Sequence, residues 1–404
     1  MEHVGVESHD AKGPDESVKG KVTLENWLEA PYNRQALQRM DMIVPTTSIS
    51  RGDSPVRALH ASSDDAAIDE ILYETGHGQS TIGRFIESSF TDGILVLRGE
   101  TVLTERYLSG LNLSTRHSLM SVSKSLAGML AGKLIDQGLL DQSTRVSDVL
   151  PELAHGPYGD ATLRQVLDMS VVLDFRQEYD DPTSDVQTED RAAGWRPRLQ
   201  GDPPDTKSFL ATLRSAPGRN HGFQYCSATT DVLAWIMERA SGRGYAELMS
   251  TELWSHIGAE YDAYVTVDSS GEPYACAGIC ATLRDVARFG RLVLDGGSWN
   301  GKEVLPTGWI ELMRHEAGSS VKSDPNFEEI WSVFPESIYH NQWWTTRNER
   351  GAFFGVGIFG QYLYLDPESD VVIVKFSSLP APLDGAVAKE HLIALDALSR
   401  AVAN

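Results

Sequence analysis

Apolar positions in this chain recur in two registers. Helical spacing is clearest after Ser121, where Leu126, Met129, Leu130 and Leu134 return at three- and four-residue steps until Gly138 stops the pattern. A helix over 121–137 with a strongly apolar face is predicted. Further helices are predicted over 66–73, 231–240 and 386–402. Another follows the capping sequence Thr282-Leu283-Arg284-Asp285, with Val286, Phe289, Leu292 and Val293 inward. Strand-like runs at 94–97 and 102–107 flank Arg98-Gly99-Glu100 and read as a hairpin. Tyr362-Leu363-Tyr364-Leu365, a turn over 366–370 and Val371-Val372-Ile373-Val374 read as a second one. Residues 140–270 read as mostly helical with long loops. Within them, 174–198 is polar, densely charged and aperiodic, so a long loop is expected there, of the kind that serves as a substrate lid. Residues 1–23, rich in Glu, Lys, Gly and Ser, read as a flexible tail. No internal repeat or low-complexity tract interrupts the chain.

Composition narrows the function. The 404 residues, 41% of them hydrophobic, bury a large core and suit two or three domain-sized units, or one large fold with an inserted lobe. The net charge of -22 argues against nucleic acid and anionic membranes as partners and mildly favours substrates bearing an amine. The N-terminus lacks the apolar core of a signal peptide, and no apolar run reaches membrane-span length. Three cysteines, Cys226, Cys276 and Cys280, read as free thiols of a cytoplasmic protein. Cys276 and Cys280 have no His-Cys cluster nearby to complete a zinc site, so no metal is expected.

The candidate chemistry starts at Ser121-Val122-Ser123-Lys124. Residues three apart share a helix face, which sets the Ser121 hydroxyl beside the Lys124 amine. A serine hydroxyl is a poor nucleophile until a base takes its proton, and lysine is that base only where burial or a neighbouring cation lowers its pKa. The helix N-terminus also favours developing negative charge. Ser-x-x-Lys alone also fits a capped surface helix. Tyr225-Cys226-Ser227, after the turn-like 217–222, supplies a phenol able to carry a proton between Ser121 and a leaving group; a buried tyrosine with a satisfied hydroxyl is the plainer alternative. Gly355-Val356-Gly357-Ile358-Phe359-Gly360-Gln361 reads as a strand whose small residues let a substrate approach the backbone, or as a glycine-rich edge strand without a role. No Gly-x-Ser-x-Gly elbow, phosphate loop or His-Glu-x-x-His is present, and the 11 histidines are scattered.

Together these blocks resemble the serine β-lactamase-like superfamily of class C β-lactamases, DD-peptidases and esterases, and within it the 6-aminohexanoate-dimer hydrolases, the nylon-oligomer hydrolases. The resemblance runs from about residue 24 onward. It includes Trp27, Asn33-Arg34, Leu167-Asp168-Met169, Val186-Gln187-Thr188, Asp190-Arg191, Thr230 to Trp235, Gln342-Trp343-Trp344 and Asn348 to Gly351. It implies an α+β fold: an α/β lobe with an antiparallel sheet, from 24–139 and 271–404, and a mainly helical lobe, 140–270, with the site between them. It implies Ser121 as nucleophile, Lys124 as base, Tyr225 as proton carrier, and the backbone N–H groups of Ser121 and Ile358 as oxyanion donors. Tyr179 is then a lid tyrosine reaching the scissile nitrogen, Asp190 the carboxylate for a substrate's amino terminus, and Trp344 a wall of the acyl pocket. Cys276, where relatives carry Asn or His, and Phe359, where they carry His, are expected near the cleft and put the preferred substrate in doubt. The expected activity is hydrolysis of small linear amides and short-chain esters without a cofactor, by a protein that binds neither nucleic acid nor membrane and for which a homodimer is compatible. A carboxylesterase with little amidase activity and a non-catalytic scaffold are the alternatives.

Overall fold

A strand buried on both faces is the spine of the molecule. Thr91–Arg98 pairs antiparallel with Thr101–Tyr107, as the first predicted hairpin requires, and on its other edge with Val371–Ser377 from near the chain's end. The computed structural model describes residues 20–62, 65–76, 78–216, 218, 222–324 and 327–403. In it nine strands form one sheet in the order Ser319–Ser320, Ile338–His340, Trp343–Thr345, Phe353–Gly357, Gln361–Asp366, Val371–Ser377, Thr91–Arg98, Thr101–Tyr107, His60–Ala61. Neighbours are antiparallel except the last pair, which is parallel. The second predicted hairpin is present, with Leu365 opposite Val372 and Leu363 opposite Val374.

Side chains alternate across a strand, so these continuous apolar runs feed two cores. Leu95, Leu97, Leu363, Leu365, Val372 and Val374 pack on one side with the helices Val122–Asp136 and Leu283–Leu294. Ile94, Val96, Tyr362, Tyr364, Val371 and Ile373 pack on the other, against Leu392, Leu395 and Leu398 of the helix Gly385–Ala401. A four-stranded sheet, Thr46–Ile49, Ala263–Thr266, Ile279–Ala281 and His117–Ser118, lies beside the first and delivers the chain to Ser121. The stretch 140–262 is helical, its longest element being Ser227–Ser241.

Five expectations change. The strand read over 355–361 is the end of one strand and the start of the next, Phe353–Gly357 and Gln361–Asp366, because Phe359 and Gly360 at positive φ turn the chain between them. The helix placed over 66–73 spans only Asp65–Asp69, and Tyr73 lies in the strand Leu72–Thr75, paired with Gly78–Thr81. Leu72 and Glu74 are exposed and Tyr73 buried, a period-two pattern in which the Tyr73 hydroxyl donates to Glu390 at 2.7 Å. The helix placed over 231–240 starts earlier, at Ser227. The stretch 174–198 is not one loop, because it contains the helix Asp185–Ala192, whose buried face is Val186, Gln187, Glu189, Asp190, Arg191 and Ala192. Apolar periodicity misses a helix that buries mainly polar residues. Of the expected tail, Val22 packs against a cluster containing Trp27, while residues 1–19 lie outside the described residues. Pro217, Arg219, Asn220 and His221 of the predicted turn lie outside them too. No described helix is long and apolar enough to cross a membrane.

The helix Val122–Asp136 is buried almost all round, and glycines let its neighbours reach it. A Cβ on Gly128 meets the Asn341 carbonyl oxygen at 2.1 Å. Gly128→Ala is therefore expected to lower unfolding stability by about 1–3 kcal/mol, despite alanine's better helix propensity, as read by urea denaturation.

Candidate active site

Ser121 caps the helix Val122–Asp136 with near-helical backbone angles, φ -68° and ψ -4°. The residue before it, Met120, has φ 46°, a left-handed conformation that costs an unbranched side chain about 1–3 kcal/mol and survives only where packing imposes it. Met120 is fully buried in a cluster with Trp27, Tyr274, Cys276 and Phe359. The end of the strand Phe353–Gly357 presses on this turn. A Cβ on Gly357 would lie 2.8 Å from the Leu119 carbonyl oxygen and 2.9 Å from the Ser121 nitrogen. Only glycine fits there, and the next residue, Ile358, is thereby set beside Ser121 before Phe359 and Gly360, both at positive φ, turn the chain back.

Lys124 is 1% exposed. Its Nζ donates to Ser121 Oγ at 2.9 Å, to the Cys276 carbonyl at 2.9 Å and to Ser227 Oγ at 3.2 Å, so all three ammonium protons have acceptors. It also lies 5.2 Å from the centre of the Tyr225 ring. Burial alone opposes charge on this amine. Negative charge on Tyr225, Cys276, Asp231 or Glu189, when any of them is ionised, favours the ammonium, and the direction is upward from the amine's ordinary value. That direction is opposite to the lowering expected of a lysine base. As the donor to Ser121, the amine leaves the serine's own proton free to go elsewhere.

Ser121, Tyr225, Tyr179, Trp344 and Ile358 line one cavity of about 60 Å³. Its wall is otherwise mainly apolar, with Val356, Phe327 and Leu383. Trp344 stacks on Tyr225, ring centres 5.3 Å apart at 27°, and is itself buried. Tyr179 is half-buried, and its hydroxyl accepts from Gln177 Nε2 at 2.9 Å. Burial pushes that hydroxyl's pKa well up, so it stays a donor. The Tyr179 carbonyl accepts from Gln187 Nε2 at 2.6 Å, which ties this loop to the helix Asp185–Ala192.

The structure does not bring the other expected residues to the cavity. Asp190 is buried away from it, accepting from Arg196 Nε at 2.9 Å and from the Tyr274 hydroxyl at 3.0 Å, so its charge is already partnered. The carboxylate that does line the cavity is Asp384, the cap of the terminal helix. Cys276 lies behind Lys124, contributing its carbonyl, with its thiol fully buried. Phe359 is buried in the Met120 cluster and touches the site only through the turn it shapes. All three cysteines are free and buried.

Sequence reasoning named Ser227 only within the Tyr225-Cys226-Ser227 element, without its contact to Lys124, and missed Gln177, Glu189 and Asp231 as parts of the site. Ser227 and Asp231 are one turn apart on a single helix, and Ser184-Asp185-Val186-Gln187 has the spacing of a capping box, with the Ser184 hydroxyl accepting from the Gln187 N–H. Either signal points at this wall. Ligand atoms of Glu189, Asp231 and Cys276 lie within 4.8 Å of one another. The Lys124 amine adjoins the trio through the Cys276 carbonyl, and positive charge there disfavours a cation.

A beta-lactamase family profile matches residues 91–398. The 6-aminohexanoate-dimer hydrolase of Paenarthrobacter ureafaciens is 45% identical over 374 residues, 93% of this chain and 92% of that protein. A Bacillus anthracis structure, provisionally described as a 6-aminohexanoate-dimer hydrolase, superposes with a TM-score of 0.84 at 28% identity, covering 96% of this chain and 98% of that one. A D-stereospecific amidohydrolase from Streptomyces sp. shares the fold, with a TM-score of 0.53 at 15% identity over 74% of this chain and 92% of that one. The chain belongs to the beta-lactamase family. It is a serine hydrolase, with the α+β fold of β-lactamases and penicillin-binding proteins.

The contact of Gly357 with the Ser121 turn yields a direct test. Gly357→Ala is expected to lower kcat/KM by about 10²-fold through displacement of Ile358 and Ser121, while circular dichroism still shows the folded protein.

Proposed function

We propose that the protein hydrolyses small linear amides of the 6-aminohexanoate-oligomer type, and short-chain esters, through an acyl-enzyme on Ser121. One observation carries this reading: Lys124 Nζ donates to Ser121 Oγ at 2.9 Å in a cavity wall shared with Tyr225. Ser121 Oγ attacks the acyl carbon as its proton passes to the Tyr225 oxygen, whose negative charge the Lys124 ammonium stabilises. The Ser121 and Ile358 N–H groups receive the oxyanion. When the carbon–nitrogen or carbon–oxygen bond breaks, Tyr225 returns the proton to the leaving amine or alcohol. Water then attacks the acyl carbon, gives its proton to Tyr225, and the acid leaves as Ser121 Oγ takes that proton back. Tyr179 donates to the scissile nitrogen as its loop closes. The site is read as the cleft between an α/β lobe, 24–139 with 271–404, and a helical lobe, 140–270, of a cytoplasmic enzyme.

The esterase reading has an observation of its own. Asp190 is engaged by Arg196 and does not line the cavity, whose wall, Asp384 apart, is mainly apolar and accepts neutral acyl groups. Comparing kcat/KM across amino-capped amides and short acyl esters decides between them: amide turnover supports the amidase, and ester turnover alone leaves an esterase.

Ser121→Ala is expected to abolish turnover of every substrate. Lys124→Ala and Tyr225→Phe should each lower kcat by about 10²–10⁴-fold. The double variant should lose far less than the product of the two, because the groups act as one unit. Tyr179→Phe should reduce amide kcat about tenfold, the worth of one well-placed hydrogen bond, and leave ester hydrolysis nearly unchanged. Equal loss on both substrates contradicts the role given to Tyr179.

A further inference from the structure

Behind Lys124 lies a group of acids that the reaction above does not use. Glu189, on the helix Asp185–Ala192, is 0% exposed and Asp231, on the helix Ser227–Ser241, is 3% exposed. Asp231 Oδ1 accepts the Cys276 N–H at 2.9 Å, and the Cys276 carbonyl accepts from Lys124 Nζ at 2.9 Å. Among the described residues no donor meets either Glu189 oxygen or Asp231 Oδ2. Two ionised carboxylates, with acceptor atoms facing each other in a sealed pocket, are not a stable arrangement, since buried charge without a donor costs several kcal/mol. A single proton removes the conflict: a protonated carboxyl donates where an ionised one only accepts.

We propose that Glu189 and Asp231 share one proton, Glu189 donating as a neutral carboxylic acid to Asp231, so that the pair presents one buried negative charge that positions the Lys124 ammonium. The assignment rests on reading Lys124 as an ammonium beside Ser121. The direction of titration agrees with the geometry. Burial, then repulsion by Asp231 and Asp190, pushes Glu189 well above the carboxylate range. Burial pushes Asp231 up to about 7, against the pull of the Cys276 N–H and of Lys124. The other titratable groups facing the pair are Cys276 and Tyr274 from the segment after the four-stranded sheet's second strand, Cys226 beside Asp231, and Tyr158 and Tyr245. Burial raises all five, so they are neutral at physiological pH and Lys124 is the pair's one cationic neighbour among them. Glu189 and Asp231 are positioning residues, acting on substrate only through Lys124.

The pair is read without any variant by infrared spectroscopy of the intact protein at neutral pH. A protonated carboxylic acid C=O stretch, shifted by isotopically labelled glutamate, is expected; its absence overturns the proposal. Elemental analysis of the same sample is expected to find no stoichiometric metal, and a tightly bound equivalent overturns it too, because a cation then stands where the proton is placed. Variants add a readout that a merely structural role does not move. Asp231→Asn combined with Glu189→Gln deletes the counter-charge from both positions, so the ammonium is lost earlier and the basic limb of the kcat/KM profile should move down by about one pH unit. Glu189→Gln alone keeps a neutral donor and should hold that limb in place, though kcat falls. An unmoved limb in the double variant contradicts the assignment. Should the acyl-enzyme reading fail, the infrared band is unaffected, so the two failures are told apart.

Discussion

Everything in this site follows from keeping a charged amine out of water. Lys124 is surrounded by protein, and an ammonium there is tolerated only with every proton accepted and negative charge nearby. The groups around it come from four separate parts of the chain. Ser121 is one helical turn away, a second long helix carries Ser227 and Asp231, Cys276 offers a carbonyl from a loop, and Glu189 comes from the helix Asp185–Ala192. The helical segments after residue 140 and the sheet-bearing parts of the chain are thereby tied together at one atom.

The same constraint shapes reactivity. In the proposed mechanism the Lys124 amine donates to Ser121 and is not the resting base, and the serine proton passes to the Tyr225 oxygen. Trp344, stacked on that ring, fixes its plane, and Phe327 packs against it with ring centres 5.1 Å apart. The turn at Met120 and the close pass of Gly357 set backbone and hydroxyl together before any substrate arrives. Such preorganisation is what lets fixed dipoles stabilise charge better than water does. The space beside Ser121 is bounded by a mainly apolar wall, Tyr179 and the carboxylate of Asp384.

What could be read from the chain alone depended on range. Ser121 with Lys124 is legible because a single helical turn joins them. The hairpins around Gly99 and 366–370 are legible because their strands are neighbours in sequence with alternating or continuous apolar runs. The pairing of Thr91–Arg98 with Val371–Ser377 is not, since no local pattern records which strand lies alongside. The helix Asp185–Ala192 escaped because its buried face is mainly polar, held by contacts such as Arg191 to Asp202 at 2.7 Å and Asp190 to Arg196 at 2.9 Å, and polar residues look like loop to a hydrophobic pattern. For the same reason Asp190 and Cys276 could be placed near the site but not in their actual contacts. Family resemblance carried Tyr179, Tyr225, Trp344 and Ile358 to one cavity, where the structure also puts them.

The central claim is that a covalent acyl group forms on Ser121 with Lys124 charged beneath it. Rapid-quench mass spectrometry during turnover of a short acyl ester tests it most directly. The account predicts a transient mass increase equal to the acyl group, localised by peptide mapping to Ser121 and longer-lived in Tyr225→Phe. Turnover with no adduct on Ser121, or an adduct mapped to another residue, contradicts it.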